Sequence, residues 1–447
     1  LKTDSSAFLT PKLGLFSISN IVIANMIGAG IFTTSGLLMA DLRSPWLLIS
    51  LWVVGGIIAF AGALCYGELG AAMPRAGGEY TFLSTLYSPL VGFLSGWVSF
   101  VVGFSAPIAA SAIGFSEYLL RAFPDAFQIG GIGVDWIKKI YSISIILVFT
   151  GIHLRGMEFG ARVQNGLTVL KIALIVVIIS FGFAFGAGSW DHFSTAVTVG
   201  PAPGWKTIGL SLMWIMFAFS GWNASVYIGS EIRNPQRNIP RSLLIGTGAV
   251  TLMYVLLNTL FVYAVEPDAM TGVISIGGLA VKNLFGVNYE TFFSLFIAFA
   301  LFSSISAFII LGPRVYYAMA ADGKFFSFTS KIHPRFGVPA YSIIFQAIIS
   351  IAIILSGTFD QILTYMGFSL GIFPIITVFG IFKLRKEKRS TFRLPGYPFT
   401  PIIFIMAGVG MLLLSFLERP TESLIAIFTV LAGLPAYYLF VRKKPAS

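Results

Sequence analysis

Long apolar runs separated by short polar segments make up this chain, and their lengths predict helices that cross a membrane. A span takes about 20 apolar residues. Twelve charge-poor runs meet or approach that length, at 13–39, 45–67, 88–117, 140–154, 164–187, 207–230, 242–265, 290–313, 339–357, 361–382, 399–417 and 422–441. No loop between them is long enough to hold a folded domain. Any function must therefore lie among the helices.

Two runs have centres that do not suit a helix. From Leu13 to Ala40 there is no formal charge, yet the middle reads Gly28-Ala29-Gly30, followed by Thr33-Thr34-Ser35. The sixth run holds Phe219-Ser220-Gly221-Trp222-Asn223 at its centre. Small residues also serve close helix packing. Two interruptions five helices apart, however, predict a five-plus-five repeat whose second copy is inverted, with the breaks at matching positions. The halves expected are 13–187 and 207–382, followed by two peripheral helices over 399–441, with short tails 1–12 and 442–447.

Unwinding at mid-membrane frees N–H and C=O groups that lipid cannot satisfy. A half-helix N-terminus offers donors and partial positive charge; a C-terminus offers acceptors and the opposite sign. At the first break the N–H groups of Ala29, Gly30 and Ile31, beside Gly28, suit a carboxylate. Carbonyls near Met26, Phe217 and Ser220 suit an ammonium. Together these describe an α-amino acid.

Composition agrees with a membrane protein. Of 447 residues, 56% are hydrophobic and only 11% charged, with 43 Phe. The net charge of +11 is a topology signal: 21 Lys and Arg fall in one set of loops and seven in the other, leaving Lys171 inside a span. The richer set marks the cytoplasmic side. Both termini are therefore expected in the cytoplasm, the protein in the plasma (inner) membrane, and no nucleic-acid partner. The lone Cys65 builds no disulfide framework, and His153, His192 and His333 read as solvated loop residues. No cofactor or metal site is expected. Catalysis has no support, since no phosphate loop, HExxH or paired carboxylates fall in the spans.

Four segments carry a resemblance: MIGAGIF; FAFSGWN followed by EIRNPQRNIPRSL; GPRVYYAMAADGKFF; and KIHPRFGVPAYS. They resemble the amino acid–polyamine–organocation superfamily, and within it the L-type amino acid transporter family, over residues 13–440. The resemblance implies an all-α leucine-transporter-type fold, with helices 1 and 6 broken. It implies exchange of amino acids without sodium, by alternating access. It also implies that Phe217 is an aromatic gate over the substrate; on its own residues Phe217 reads equally as core or lipid-facing. The family's first break often reads Gly-Ser-Gly, whereas here Ala29 removes the hydroxyl. Animal members join a glycoprotein through a Cys between spans 3 and 4. No Cys stands there, so no disulfide-linked subunit is expected.

Lys171 is the one basic residue well inside a span. Position alone leaves two readings, a functional intramembrane charge or a side chain snorkelling to the interface. The resemblance implies the first: a helix-5 lysine taking the place of sodium, between carbonyls at the first break and a hydroxyl of helix 8, where Ser304 aligns. Glu68, Arg75 and Glu79 at the turn after span 2 read as caps, solvated charges or a cytoplasmic gate pair, and Glu117 as a snorkelling end residue or a proton carrier. No acidic side chain stands at either break, so neutral substrates are expected. Ser220, where large-substrate members look to have Gly, points to small ones. The competing expectation is a proton-coupled amino-acid or amine symporter of the same fold.

Overall fold

The computed structural model describes residues 9–28, 30–127, 131–195, 202–286, 290–356, 359–390 and 392–442. Ala29 of the first break and most of the two expected tails lie outside the described residues.

The apolar runs form helices throughout. In chain order they are α1 Leu15–Met26, α2 Gly30–Leu42, α3 Pro45–Ala72, α4 Glu79–Leu86, α5 Pro89–Val98, α6 Ser105–Ala122, α7 Val134–Leu154 and α8 Met157–Phe185. They continue with α9 Trp205–Ala218, α10 Pro235–Ala264, α11 Pro267–Met270, α12 Ile276–Phe285, α13 Glu290–Ala321, α14 Ala340–Ser356, α15 Phe359–Lys386, α16 Phe399–Glu418 and α17 Pro420–Arg442. Among the described residues, nine spans are long and apolar enough to cross a membrane, with α1 and α2 counted as one. α9 and α14 are apolar but shorter.

Helix starts follow local chemistry. α3 and α5 each open with Ser then Pro: Ser44 Oγ accepts from Leu47 N and Ser88 Oγ from Val91 N. The serine satisfies an orphan N–H, and proline at the first position gives up a donor that would have no partner. Span 3 runs as α5, one π-helical turn over Ser99–Gly103, and α6. Span 6 departs from the expected run at 207–230. After α9 only short 3-10 turns follow, at Ala224–Tyr227 and Gly229–Glu231.

The helices pack as two groups. α3 and α10 lie against each other, with α1 on α10 and α9 on α3. α6, α7, α13 and α14 form the second group, and α8 bridges α1 and α13. α16 and α17 lie outside, presenting Phe399, Met406, Phe428 and Leu439 outward, as lipid-facing helices do.

Two ion pairs on buried carboxylates tie down the ends expected in the cytoplasm. Arg314 Nε and Nη2 donate to Glu231 at 2.8 and 3.1 Å, both side chains 1% exposed. The Glu231 carbonyl accepts from Lys12 N and Leu13 N, which draws the N-terminal segment in. Glu68, fully buried, takes Arg385 bidentately at 2.7 Å and also Ser390 Oγ and Leu394 N. Glu68 is thus neither a cap nor solvated, because two donors from the last turn of α15 and two from the segment after it replace its water.

Candidate functional site

The two breaks face each other. Ile27 leaves the helical region after α1 (φ −78°, ψ 92°), and α2 restarts at Gly30. After α9 the chain turns through Gly221 at φ +100°, a conformation that favours glycine. A Cβ on Gly221 would lie 2.8 Å from Asn25, and one on Gly30 would lie 2.9 Å from the Ala218 Cβ. Each break thus needs glycine for the approach of the other. Gly28 differs: a Cβ there meets nothing within 4 Å among the described residues.

Between these ends lies a cavity of about 180 Å³. Met26, Gly28, Gly30, Phe217, Ser220 and Asn223 line it, facing Ser95, Ser99 and Phe104 from span 3. It reaches Glu79 and Tyr227, toward the side assigned to the cytoplasm. On the opposite side α2 is pressed shut: a Cβ on Gly36 would lie 2.1 Å from the Val273 carbonyl. Ile31 is buried in the first turn of α2 and does not line the cavity. Its N–H belongs to the free donors of that helix start.

Lys171 does not snorkel. It is fully buried, and its Nζ donates to the Ile27 carbonyl at 2.8 Å and to Ser304 Oγ at 3.1 Å. Ser304 lies 2.9 Å from the same carbonyl and 3.3 Å from the Ala24 carbonyl. The ammonium therefore stands at the first break, bonded to the carbonyl just past α1 and to a hydroxyl in mid-α13, because its stem lies within packed α8, α1 and α13 rather than along lipid.

Two other placements change the picture of the breaks. The Met26 carbonyl accepts from the Tyr254 hydroxyl at 2.6 Å, so it is already engaged. Asn223 turns its amide away, donating to Glu79 Oε1 at 3.0 Å and to the Tyr227 hydroxyl at 3.2 Å.

Glu79 corrects the expectation that no acid stands near a break. It is 6% exposed, lines the cavity and also accepts from the Tyr66 hydroxyl at 2.7 Å. Among the described residues no cation lies within ion-pair distance of it. Arg75 pairs instead with Asp322 at 3.4 Å, and Tyr80 donates to the same carboxylate at 2.8 Å. Glu117 takes Lys138 at 2.8 Å. Of the three histidines His153 is not solvated: it is buried in α7 against Ser306, at 2.9 Å, while His192 and His333 stay partly exposed. His192 meets the Val262 carbonyl, and His333 Nδ1 accepts from Arg335 N and Phe336 N. Sequence reasoning missed Tyr66, Tyr227 and Tyr254. Nothing local distinguishes them among 16 tyrosines, since each acts on a partner brought in by the fold.

The whole chain has relatives. It is 30% identical over 451 residues to the b(0,+)-type amino acid transporter 1 of Mus musculus, covering 99% of this chain and 90% of that one. It is 30% identical over 448 residues to the serine/threonine exchanger SteT of Bacillus subtilis (strain 168), covering 98% of each. It is 27% identical to the Asc-type amino acid transporter 1 of Mus musculus, over 98% of this chain and 83% of that one. The sequence profile of the amino acid permease family matches residues 13–436. With a continuous match of that extent, on an all-helical membrane architecture, the chain belongs to the amino acid permease family.

Proposed function

We propose that this protein is a sodium-independent exchanger of neutral, small amino acids, working by alternating access in the plasma membrane. The observation that carries the reading is one cavity bounded by the ends of two broken helices, with a lysine ammonium fixed at the first. The first N–H groups of α2, at Gly30 and Ile31, face a substrate carboxylate. Helix-end carbonyls of α1 and α9 face its ammonium. Phe217 gates the cavity and Ser220 limits its size. Lys171 with Ser304 supplies the charge that a bound cation would otherwise bring. Residues 13–187 and 207–382 are the two inverted repeats around this site, α16 and α17 are peripheral, and both termini are cytoplasmic. The printed names of the relatives, two exchangers or transporters of amino acids at 30% identity, support the substrate class.

Counterflow tests the reading. Proteoliposomes loaded with unlabelled alanine take up labelled alanine, and empty ones do not; replacing sodium by choline changes nothing. Uptake into empty vesicles driven by an imposed sodium gradient refutes it. One observation favours a second reading, a proton-coupled symporter: Glu79 is a buried carboxylate on the cavity wall with no cation beside it among the described residues. Net alanine uptake driven by a pH gradient selects that reading.

A further inference from the structure

Glu79 opens α4, and two glycines present it to the cavity. Gly77 and Gly78 hold φ at +106° and +53°, and a Cβ on Gly78 would collide with the Tyr227 ring. Glycine lets this turn close against Tyr227 and carry the carboxylate inward. Span 3 adds two hydroxyls to the same wall. A Cβ on Gly92 of α5 would collide with Ser84 Oγ of α4, so the two helices run back along each other. That packing brings the end of α5 beside the start of α4. Ser95 and Ser99 stand there four residues apart, on one helix face, and both line the cavity. Ser95 is 1% exposed, and its hydroxyl has no hydrogen-bond partner among the described residues. Ser99 opens the π-helical turn, an irregularity that collects at functional positions.

Among the described residues, Glu79 is the one formally charged group on the cavity wall. A buried charge is costly unless it is paired, and the partners of this one are neutral donors, Tyr66 and Asn223. We propose that Glu79, Ser95 and Ser99 form an inner subsite for the substrate ammonium, between the helix ends and the cytoplasmic face. This rests on the exchange reading above. An ammonium has three donors and no acceptor. The carboxylate accepts one of them, and a serine hydroxyl can turn its lone pairs toward another. Like charge turns the substrate carboxylate away from Glu79, toward the first N–H groups of α2. An amino acid entering from the cytoplasm meets this subsite before the helix ends; one entering from outside meets the helix ends first. The subsite therefore serves affinity on one face only.

The test uses membrane vesicles of both orientations, inside-out and right-side-out, preloaded with unlabelled alanine, and reads the KM of labelled alanine at each face. Glu79→Gln removes the charge and keeps an acceptor for Tyr66 and Asn223. It should raise KM at the cytoplasmic face by about tenfold or more, the range of a hydrogen bond to a charged group, and leave the outer KM within about twofold. Propionate, the same skeleton without an ammonium, serves as competitor at the cytoplasmic face; its inhibition should not weaken. Ser95→Ala strands no partner and should raise the cytoplasmic KM by about 2- to 10-fold. A purely structural role shifts both faces, or alanine and propionate alike. Either result overturns the inference, as does an unchanged cytoplasmic KM. If Glu79→Gln does not fold, Ser95→Ala decides alone by the same criteria. Net uptake driven by a pH gradient, lost in Glu79→Gln with the cytoplasmic KM unaltered, assigns the carboxylate to proton coupling and overturns the subsite. Wild-type vesicles that exchange no amino acid overturn the exchange reading and this inference with it. Wild-type exchange with unaltered variants overturns this inference only.

Discussion

Replacing Lys171 by Met removes the ammonium and keeps an apolar stem of similar length. Lys171 makes two hydrogen bonds, at 2.8 Å to Ile27 O and 3.1 Å to Ser304 Oγ. A hydrogen bond involving a charged group contributes about 1.5–3 kcal/mol. The Ile27 carbonyl is not orphaned, since Ser304 still donates to it. The loss is therefore less than two full bonds, about 2–4 kcal/mol of attachment between α8 and the first break. At about 1.4 kcal/mol per factor of ten, exchange should fall roughly 30- to 1,000-fold. Burying Met in place of a charge is often neutral or stabilising. Lys171→Met should thus remain monodisperse with an unchanged or higher Tm, which separates lost transport from lost folding. The assay is alanine counterflow alongside thermal unfolding in detergent. A folded Met variant that exchanges within about threefold of wild type refutes the assignment of Lys171 to the transport cycle.

Further outcomes follow from neighbouring features. Gly221→Ala places a Cβ 2.8 Å from Asn25 at φ +100°, so it should cost about 1–3 kcal/mol of strain and raise the substrate KM, read by Tm and binding. Arg314→Ala strands the buried Glu231 carboxylate and should cost about 3–5 kcal/mol, read as a lowered Tm; an unchanged Tm contradicts the buried pairing. Ser220→Gly should improve competition by leucine against labelled alanine by about 10-fold or more, as one methylene of pocket space allows; equal competition in both proteins contradicts a size role. A cysteine at position 138 should react with an impermeant thiol reagent from outside only, buried Cys65 staying silent.

The breaks were legible because their cause is local: small and polar residues cannot sustain helix in lipid, whatever packs nearby. The placement of Lys171 was half legible. A lone charge in an apolar run demands a partner, but only the resemblance pointed across the chain to Ser304. Glu79 was misread for the opposite reason. Behind two glycines and at a helix start, it has the local appearance of a capping residue. Its burial is imposed by Tyr66 on α3 and by Asn223, 144 residues away. Glu68 and Arg385, 317 residues apart, were invisible as a pair on the same grounds. The second half of span 6 also reads as apolar helix. Its contraction into 3-10 turns reflects contacts with the N-terminal segment and the turn before α4, which take up the Glu231 and Tyr227 carbonyls.

The glycines at the breaks divide into two kinds. Gly30 and Gly221 are each held by the opposite break, so any side chain there disturbs both helices at once. Among the described residues nothing hems in Gly28; the direction a side chain would take from it is open, and the residue lines the cavity. Evolution can therefore adjust the volume of this chamber at one position without repacking the scaffold. On the proposed reading, selectivity among amino acids can drift at residue 28 while residues 30 and 221 keep the two breaks in contact.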